Sequence, residues 1–212
     1  MRLIVLDYGG SAIKYGLLER KTGVEPVEGR FLEKGSVPNT FADQEAFLAA
    51  TYELIDGLSA RWGGTGEEEL LGIAVSYCGE LDHKTGYIPS PGAYYYNRNL
   101  QFGDLLRERY RMPVSIENDG NAAMLAEWKY GALKGYENAC MMVLGSGIAG
   151  AFIINGELFT GKHGYAGFLS TLFANLDSRD QTVLDKSLAG MGTKQKEGFS
   201  AGVAASGFLA KT

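Results

Sequence analysis

A pattern of short strands broken by glycine turns occurs twice in this chain, and it restricts the fold more than any other feature. Residues 3–34 predict a strand, a Gly-Gly turn, a strand, a second turn and a third strand. Residues 139–160 repeat that order around another glycine turn. The repetition predicts two related lobes, each beginning with its own three-stranded meander.

The segments between the two meanders predict alternating helices and strands, which favours an α/β protein. Apolar residues recur at helical spacing over residues 41–62, and Thr40 is a candidate N-cap residue for that helix. We divide the chain after Glu117. Residues 1–117 then form an N-terminal lobe, and residues 118–212 form a partial C-terminal lobe with a weakly structured tail.

Composition excludes several classes of function. The 212 residues are 45% hydrophobic and 21% charged with a net charge of −5, so we expect neither a nucleic-acid nor a membrane partner. The sequence begins directly in a strand without a secretion signal, which predicts a cytoplasmic protein. Cys78 and Cys140 each lie in an apolar run, and we expect two buried free thiols.

A carboxylate stands where an apolar strand passes into an Ala-rich helix, in residues 117–123. The first N–H groups and the dipole of that helix favour the ionised form of Asp119. Asp119 is therefore either a general base that takes a proton from an attacking hydroxyl or a side chain that caps the helix. Asn118 and Asn121 beside it are either ligands for sugar hydroxyls or turn formers.

Two glycine-rich turns are candidate phosphate loops, because glycine lets backbone N–H groups approach phosphate oxygens closely. Hairpins require glycine for their own geometry as well, so neither turn is specific alone. Asp7 could bind Mg²⁺ through water. One base and two phosphate loops together are what phosphoryl transfer to a hydroxyl requires. The candidate residues for ATP and phosphate are Asp7, Gly9, Gly10, Ser11, Lys14, Gly145, Ser146 and Gly147.

These segments, in this order and spacing, resemble the ROK family of sugar kinases and repressors, part of the actin-like ATPase superfamily. Residues 7–14 resemble its D-x-G-G-T-x-x-K phosphate loop, and residues 117–123 resemble its E-N-D-A-N-A-A segment. Residues 144–150 resemble its L-G-T-G-I-G-G turn, and residues 156–161 fit the n-G-x-l-x-x-G that follows. The resemblance covers roughly residues 3–167.

The resemblance implies a fold, an activity and a set of site residues. The fold would be that of actin-like ATPase (ribonuclease H-like) lobes, with a mixed five-stranded sheet and helices in the first lobe. The activity would be ATP- and Mg²⁺-dependent phosphorylation of a sugar or sugar derivative, with Asp119 as the catalytic base. The implied substrate-binding residues are Asn118, Asn99, Gly79 and Phe168.

The departures from the family pattern keep alternatives open. Phe168 and Thr171 stand where the family has the Glu and His that contact sugar, so a non-catalytic sugar-binding or regulatory protein is the alternative. The family's cysteine-rich zinc motif is absent, and we predict no zinc. The chain is also short for the family, which we interpret as C-terminal truncation. A fragment without activity of its own is a third option. Its exposed second-lobe sheet would then pair with another molecule, which predicts either a homodimer or aggregation.

Overall fold

The chain divides into two compact units, Met1–Asn118 and Asp119–Thr212. The sequence analysis placed the boundary after Glu117, one residue earlier. In this computed structural model, the residues described are 1–20, 29–64, 69–144 and 148–169.

The first unit is built on a mixed five-stranded sheet, as predicted. Its strands are β1 (Arg2–Tyr8), β2 (Ala12–Arg20), β3 (Gly29–Pro38), β4 (Leu70–Tyr77), the short β5 (Tyr87–Ile88) and β6 (Leu100–Gln101), and β7 (Val114–Asn118). The main sheet has the order β3-β2-β1-β4-β7. Strands β1, β4 and β7 run parallel, whereas β2 and β3 pair antiparallel. The two short strands form a separate hairpin-like pair.

The described residues of this unit include two α-helices, α1 (Gln44–Trp62) and α2 (Phe102–Tyr110). Alternate side chains of β1 are buried, and they join one core with the buried residues of both helices. Five rings in that core pack at centroid distances of 5.2–6.3 Å. We call this group the aromatic cluster, and its members are Tyr8, Phe47, Tyr77, Tyr94 and Phe102.

Helix α1 begins later than its sequence pattern indicated. Asp43 is the N-cap residue, and its Oδ1 accepts a hydrogen bond from the Ala46 amide at 2.8 Å. The assignment of Thr40 as N-cap was wrong, because it lies too far from the first turn and Asp43 is a better acceptor in the right place. The helix ends at Trp62, and the amide of its C-cap residue Gly63 donates to the Ser59 carbonyl at 2.7 Å.

The carboxylate of Glu33 on β3 accepts hydrogen bonds from two residues of helix α1. The Arg61 guanidinium donates to both Glu33 carboxylate oxygens at 2.7 and 3.0 Å, and Trp62 Nε1 donates at 2.6 Å. The Arg61 and Trp62 hydrogen bonds hold the pKa of Glu33 below its ordinary value of 4.5. The ionised form of Glu33 therefore stabilises the fold above that pH, and the stabilisation is lost as pH falls through the folded-state pKa.

We expect Glu33→Gln to lower the melting temperature at pH 7 by about 2 °C, since half-exposed ion pairs contribute little. The difference from the wild type should shrink as the pH is lowered from 6 to 3. Thermal unfolding followed by circular dichroism at each pH measures it. A difference that stays constant over this range would contradict the assigned role of Glu33.

The second unit carries the other meander and its helix. It contains α3 (Asp119–Tyr130), β8 (Ala139–Leu144), β9 (Ile148–Ile154) and β10 (Glu157–Leu158). The strands form an antiparallel sheet in the order β10-β9-β8. Met124 of α3 packs against Ala151 and Ile153 of β9, which gives this unit a small core of its own. The predicted weakly structured tail lies outside the described residues.

Both cysteines are free, but neither is fully buried. Cys78 is half-buried and Cys140 is exposed, so the prediction of two buried thiols was wrong. Cys140 and Met142 occupy alternate positions of β8 on its exposed face, where an apolar run in the sequence does not indicate burial. Among the described residues, no helix is long and apolar enough to span a membrane.

Candidate active site

A row of polar side chains crosses the carboxyl end of the parallel strands in the first unit. Asp7 of β1 is paired in register with Ser76 of β4, which is paired with Glu117 of β7. On the other side, Asp7 is paired with Lys14 of β2, and Lys14 with Ser36 of β3. Side chains of directly paired residues project from the same face of a sheet. We call these five residues the polar row.

Asp7 is the centre of this row and holds its neighbours by hydrogen bonds. Ser76 Oγ donates to Asp7 Oδ1 at 2.9 Å, and Lys14 Nζ lies 3.4 Å from Asp7 Oδ2. The Asp7 side chain is 42% exposed and that of Lys14 is 71% exposed. A partly solvated carboxylate and an exposed ammonium are therefore within reach of a ligand at this edge. In parallel sheets, ligands commonly bind outside the carboxyl ends of the strands.

The predicted phosphate loop is the turn between β1 and β2, which we call turn 9–12. Its four carbonyl oxygens all accept hydrogen bonds. Tyr94 Oη donates to the Gly9 carbonyl, and Asn39 donates to the next two, from its Nδ2 to Gly10 and from its amide to Ser11. The Gly9 amide donates to the Ala12 carbonyl, and all four distances lie between 2.8 and 3.1 Å. Within the described part of the chain, the amides of Gly10 and Ser11 donate no hydrogen bond. Turn 9–12 thus presents two donors of the kind that bind phosphate oxygens.

The second candidate element is the junction of β7 and α3. Helix α3 begins at Asp119, as the sequence predicted, and the Gly120 amide donates to Asp119 Oδ1 at 2.8 Å. Before it, the Asn118 amide donates to Glu117 Oε1 at 2.9 Å. The helix start and its dipole favour a negative charge on Asp119. This environment suits a base that is ionised at neutral pH, and it equally suits a helix-capping residue.

The predicted sugar-contacting residues have different surroundings. Asn118 is nearly buried, and its Nδ2 donates to the Gly79 carbonyl at 3.1 Å, so these two predicted residues contact each other. Asn99 is exposed at a backbone φ of 60°, and its Oδ1 accepts from Tyr87 Oη at 2.8 Å. Phe168 packs edge-on against Tyr165 with ring centroids 5.9 Å apart in the second unit.

Some predicted features cannot be placed. Gly145, Ser146, Gly147 and Thr171 lie outside the described residues. Across the described ranges, no three His, Cys, Asp or Glu side chains converge as metal ligands. The absence of zinc remains a prediction.

The sequence did not single out Ser76, Tyr94 or Asn39 as parts of this edge. Ser76 carried a signal that could have revealed it, because Asp7, Ser76 and Glu117 are each the polar next-to-last residue of a strand. Tyr94 and Asn39 carried none, since their contacts to turn 9–12 depend on how distant segments meet.

Solved structures share this fold. The α/β fold with its mixed five-stranded sheet and helices is the actin-like ATPase fold of ROK structures, which confirms the predicted fold class. The ROK family model matches residues 3–172, and the chain belongs to the ROK family.

Individual relatives agree with this assignment. The chain is 30% identical to a glucokinase of Halalkalibacterium halodurans over 76% of its own length and 47% of that protein. It is 28% identical to a beta-glucoside kinase of Listeria monocytogenes, over 82% of this chain and 54% of that protein. A crystal structure of a ROK family glucokinase from Streptomyces griseus, in complex with glucose and AMPPNP, superposes with a TM-score of 0.67 at 25% identity. That match covers 82% of this chain and 51% of the other. The chain spans about half the length of these curated relatives.

Proposed function

We propose that the protein containing this chain transfers the γ-phosphoryl group of ATP to a hydroxyl of a sugar or sugar derivative. The observation that supports this most is turn 9–12, whose two unused amides lie beside the polar row at the carboxyl edge of a parallel sheet. The matched relatives are named glucokinase and beta-glucoside kinase, and the similar Streptomyces griseus structure holds glucose and AMPPNP. In this proposal the two small-molecule partners are ATP and a sugar.

Each part of the site receives one role in the proposal. The amides of Gly10 and Ser11 and the ammonium of Lys14 hold phosphate oxygens and offset their charge. The second glycine turn, at Gly145, Ser146 and Gly147, would hold the remaining phosphates. In phosphoryl transfer the protein takes little part in covalent chemistry. Positioning of the reactants and compensation of the phosphate charge therefore supply most of the catalysis.

The attacking sugar hydroxyl requires a base and an orienting group. Asp119 takes the hydroxyl proton, since its place at the start of α3 keeps the carboxylate ionised. Asn118 orients the sugar from the adjacent position, while its bond to Gly79 fixes the side chain. Asn99, Gly79 and Phe168 complete the proposed sugar-binding set.

The chemistry of Asp7 fits a magnesium ion. Mg²⁺ prefers oxygen ligands, retains several waters, and usually takes only one or two carboxylates from the protein. Asp7 offers one partly solvated carboxylate, oriented by Ser76 and adjacent to turn 9–12. When bound there through water, the ion would neutralise charge on the phosphates. Asp7 would hold that hydration shell in place.

ADP release from the full-length protein tests the proposal. The assay contains ATP, Mg²⁺ and a panel of hexoses, N-acetylhexosamines and their derivatives. We expect ADP release that depends on one class of sugar, and weaker or no release from the 212-residue chain alone. Nucleotide turnover that is independent of every sugar would contradict the proposal.

One observation favours a second candidate, a non-catalytic sugar-binding or regulatory protein. Phe168, which packs on Tyr165, stands where the family pattern has a carboxylate, and an aromatic ring cannot accept hydrogen bonds from sugar hydroxyls as a carboxylate does. Sugar binding measured by calorimetry without ADP release would support this candidate. The homodimer and the cytoplasmic location remain predictions, for which sedimentation and cell fractionation are the measurements.

A further inference from the structure

We propose that Tyr94 is a positioning residue for turn 9–12, and that the segment of residues 90–97 acts as a clasp on that turn. This inference deepens the proposed function and rests on it where nucleotide binding is concerned. The clasp itself is a claim about the structure and dynamics of the first unit. It can therefore be tested separately.

The main contact of the clasp is a single hydrogen bond over a long sequence separation. Tyr94 Oη donates to the Gly9 carbonyl at 2.8 Å, across 85 positions of the chain. Tyr94 is fully buried in the aromatic cluster, with its ring 5.2 Å from Phe47 and 5.5 Å from Tyr77 between centroids. The ring packing leaves the hydroxyl little freedom, so it fixes the position of the Gly9 carbonyl.

Two further contacts of the same segment reach the next residue of the turn. Tyr96 Oη lies 3.4 Å from Asn39 Oδ1, and Asn39 Nδ2 donates to the Gly10 carbonyl at 3.1 Å. A Cβ atom added to Gly10 would lie 3.6 Å from Cβ of Ala93. The segment therefore contacts the turn through the Tyr94 hydroxyl and through a hydrogen bond relayed by Asn39, and Ala93 lies next to Gly10.

Holding the carbonyls of a turn also fixes its amides. Each peptide group is planar, so the direction of the Gly9 carbonyl sets the direction of the Gly10 N–H, and the Gly10 carbonyl sets that of Ser11. These are the two amides of the turn that donate no hydrogen bond within the described residues. Tyr94 and Asn39 thus aim the donors that the proposed function assigns to phosphate.

The protonation of Tyr94 is consistent with this role. Burial raises the pKa of the Tyr94 hydroxyl far above its ordinary value, so the hydroxyl is protonated and remains a donor at neutral pH. The ionisable groups that act on it, Cys78, Tyr8, Tyr77 and Tyr96, raise its pKa further. The clasp should therefore be independent of pH in the neutral range.

Tyr94→Phe tests the clasp with Tyr8→Phe as the matched control. Both variants remove one buried hydroxyl from the same aromatic cluster, but Tyr8 Oη shares its hydrogen bond with Thr51 Oγ1 at 2.9 Å, on α1. The first measurement is hydrogen–deuterium exchange in the full-length protein at the Gly9 and Asn39 amides, which donate to the Ala12 and Ser11 carbonyls of the turn. The second is the affinity for Mg-ATP, measured by calorimetry, together with kcat and KM where sugar-dependent turnover is found.

We expect Tyr94→Phe to speed exchange at the Gly9 and Asn39 amides, which are hydrogen-bonded to carbonyls of the turn, and to weaken Mg-ATP binding, each by about tenfold, as loss of one buried hydrogen bond allows. KM for ATP should rise more than kcat falls, because the turn is still present but less well ordered. Tyr8→Phe should leave both quantities within about twofold of the wild type at a similar cost in stability.

Two results would overturn the inference. One is equal exchange at these two amides in Tyr94→Phe and Tyr8→Phe, which would show that the hydroxyl does not hold the turn. The other is faster exchange in Tyr94→Phe with unchanged Mg-ATP affinity, which would show that holding the turn does not serve nucleotide binding. If the wild type binds no nucleotide, the proposed function fails, and the exchange comparison alone still decides the clasp.

Discussion

Asp119→Asn should lower kcat for sugar phosphorylation by about 10³-fold while leaving the fold intact. Asparagine keeps the size of the side chain and its capacity to accept a hydrogen bond from the Gly120 amide, but it cannot take a proton from the sugar hydroxyl. A positioned general base typically contributes between about 10² and 10⁴ in rate. Steady-state ADP release at saturating ATP and sugar measures the loss.

The alternative role for Asp119, stabilising the start of α3, requires its own control. Asp104→Asn makes the same substitution in the first turn of α2, where Asp104 forms an ion pair with Arg107 at 3.0 Å. Each variant should lose at most about 1 kcal/mol of stability through the helix dipole. Asp104→Asn should retain wild-type kcat. If Asp119→Asn also kept it, or if both variants lost activity in proportion to their stability, Asp119 would be a structural residue.

Phe47→Ala should lower the free energy of unfolding of the first unit by about 3–5 kcal/mol, the usual cost of emptying a buried phenylalanine site. Phe47 is fully buried, and its ring lies 5.2 Å from Tyr8, 5.2 Å from Tyr94 and 5.4 Å from Phe102 between centroids. Small domains have a total stability of about 5–15 kcal/mol, so this loss is a large fraction of the total. Urea unfolding followed by near-ultraviolet circular dichroism measures the change.

Phe31→Ala is the matched control for this prediction. Phe31 lies in β3 of the same unit, and 54% of it is exposed, so its removal opens no comparable cavity. We expect it to cost less than about 1.5 kcal/mol. Equal losses in the two variants would show that the aromatic cluster is not the centre of the core.

The fold of the first unit could be predicted because its strands and helices carry strong local patterns. The apolar runs of β1, β4 and β7 and the helical spacing of α1 locate those elements directly. The N-cap of α1 was misplaced because several polar residues precede the helix, and only the backbone geometry selects Asp43. The exposure of Cys140 was missed for a similar reason, since a short strand sequence does not reveal which face is covered.

The contacts between segments that are distant in the sequence could not be predicted. Asp7 and Lys14 belong to one local motif, and the structure joins them by register. Ser76 lies in the site only because β4 pairs with β1. Tyr94 reaches the site only because an irregular loop packs against Gly9, which is 85 positions earlier in the sequence. Neither the hydrophobic periodicity of the sequence nor a short sequence motif predicts such pairings. The family resemblance supplied roles for residues, whereas the geometry supplied the residues that hold them in place.

The most direct test of this account is to follow the γ-phosphoryl group of labelled ATP in the full-length protein with Mg²⁺ and the best sugar of the panel. The account predicts that the label appears in a sugar phosphate, one for each ADP released, and that this product disappears in Asp119→Asn. Label found only in inorganic phosphate, or sugar that binds without any transfer, would contradict it.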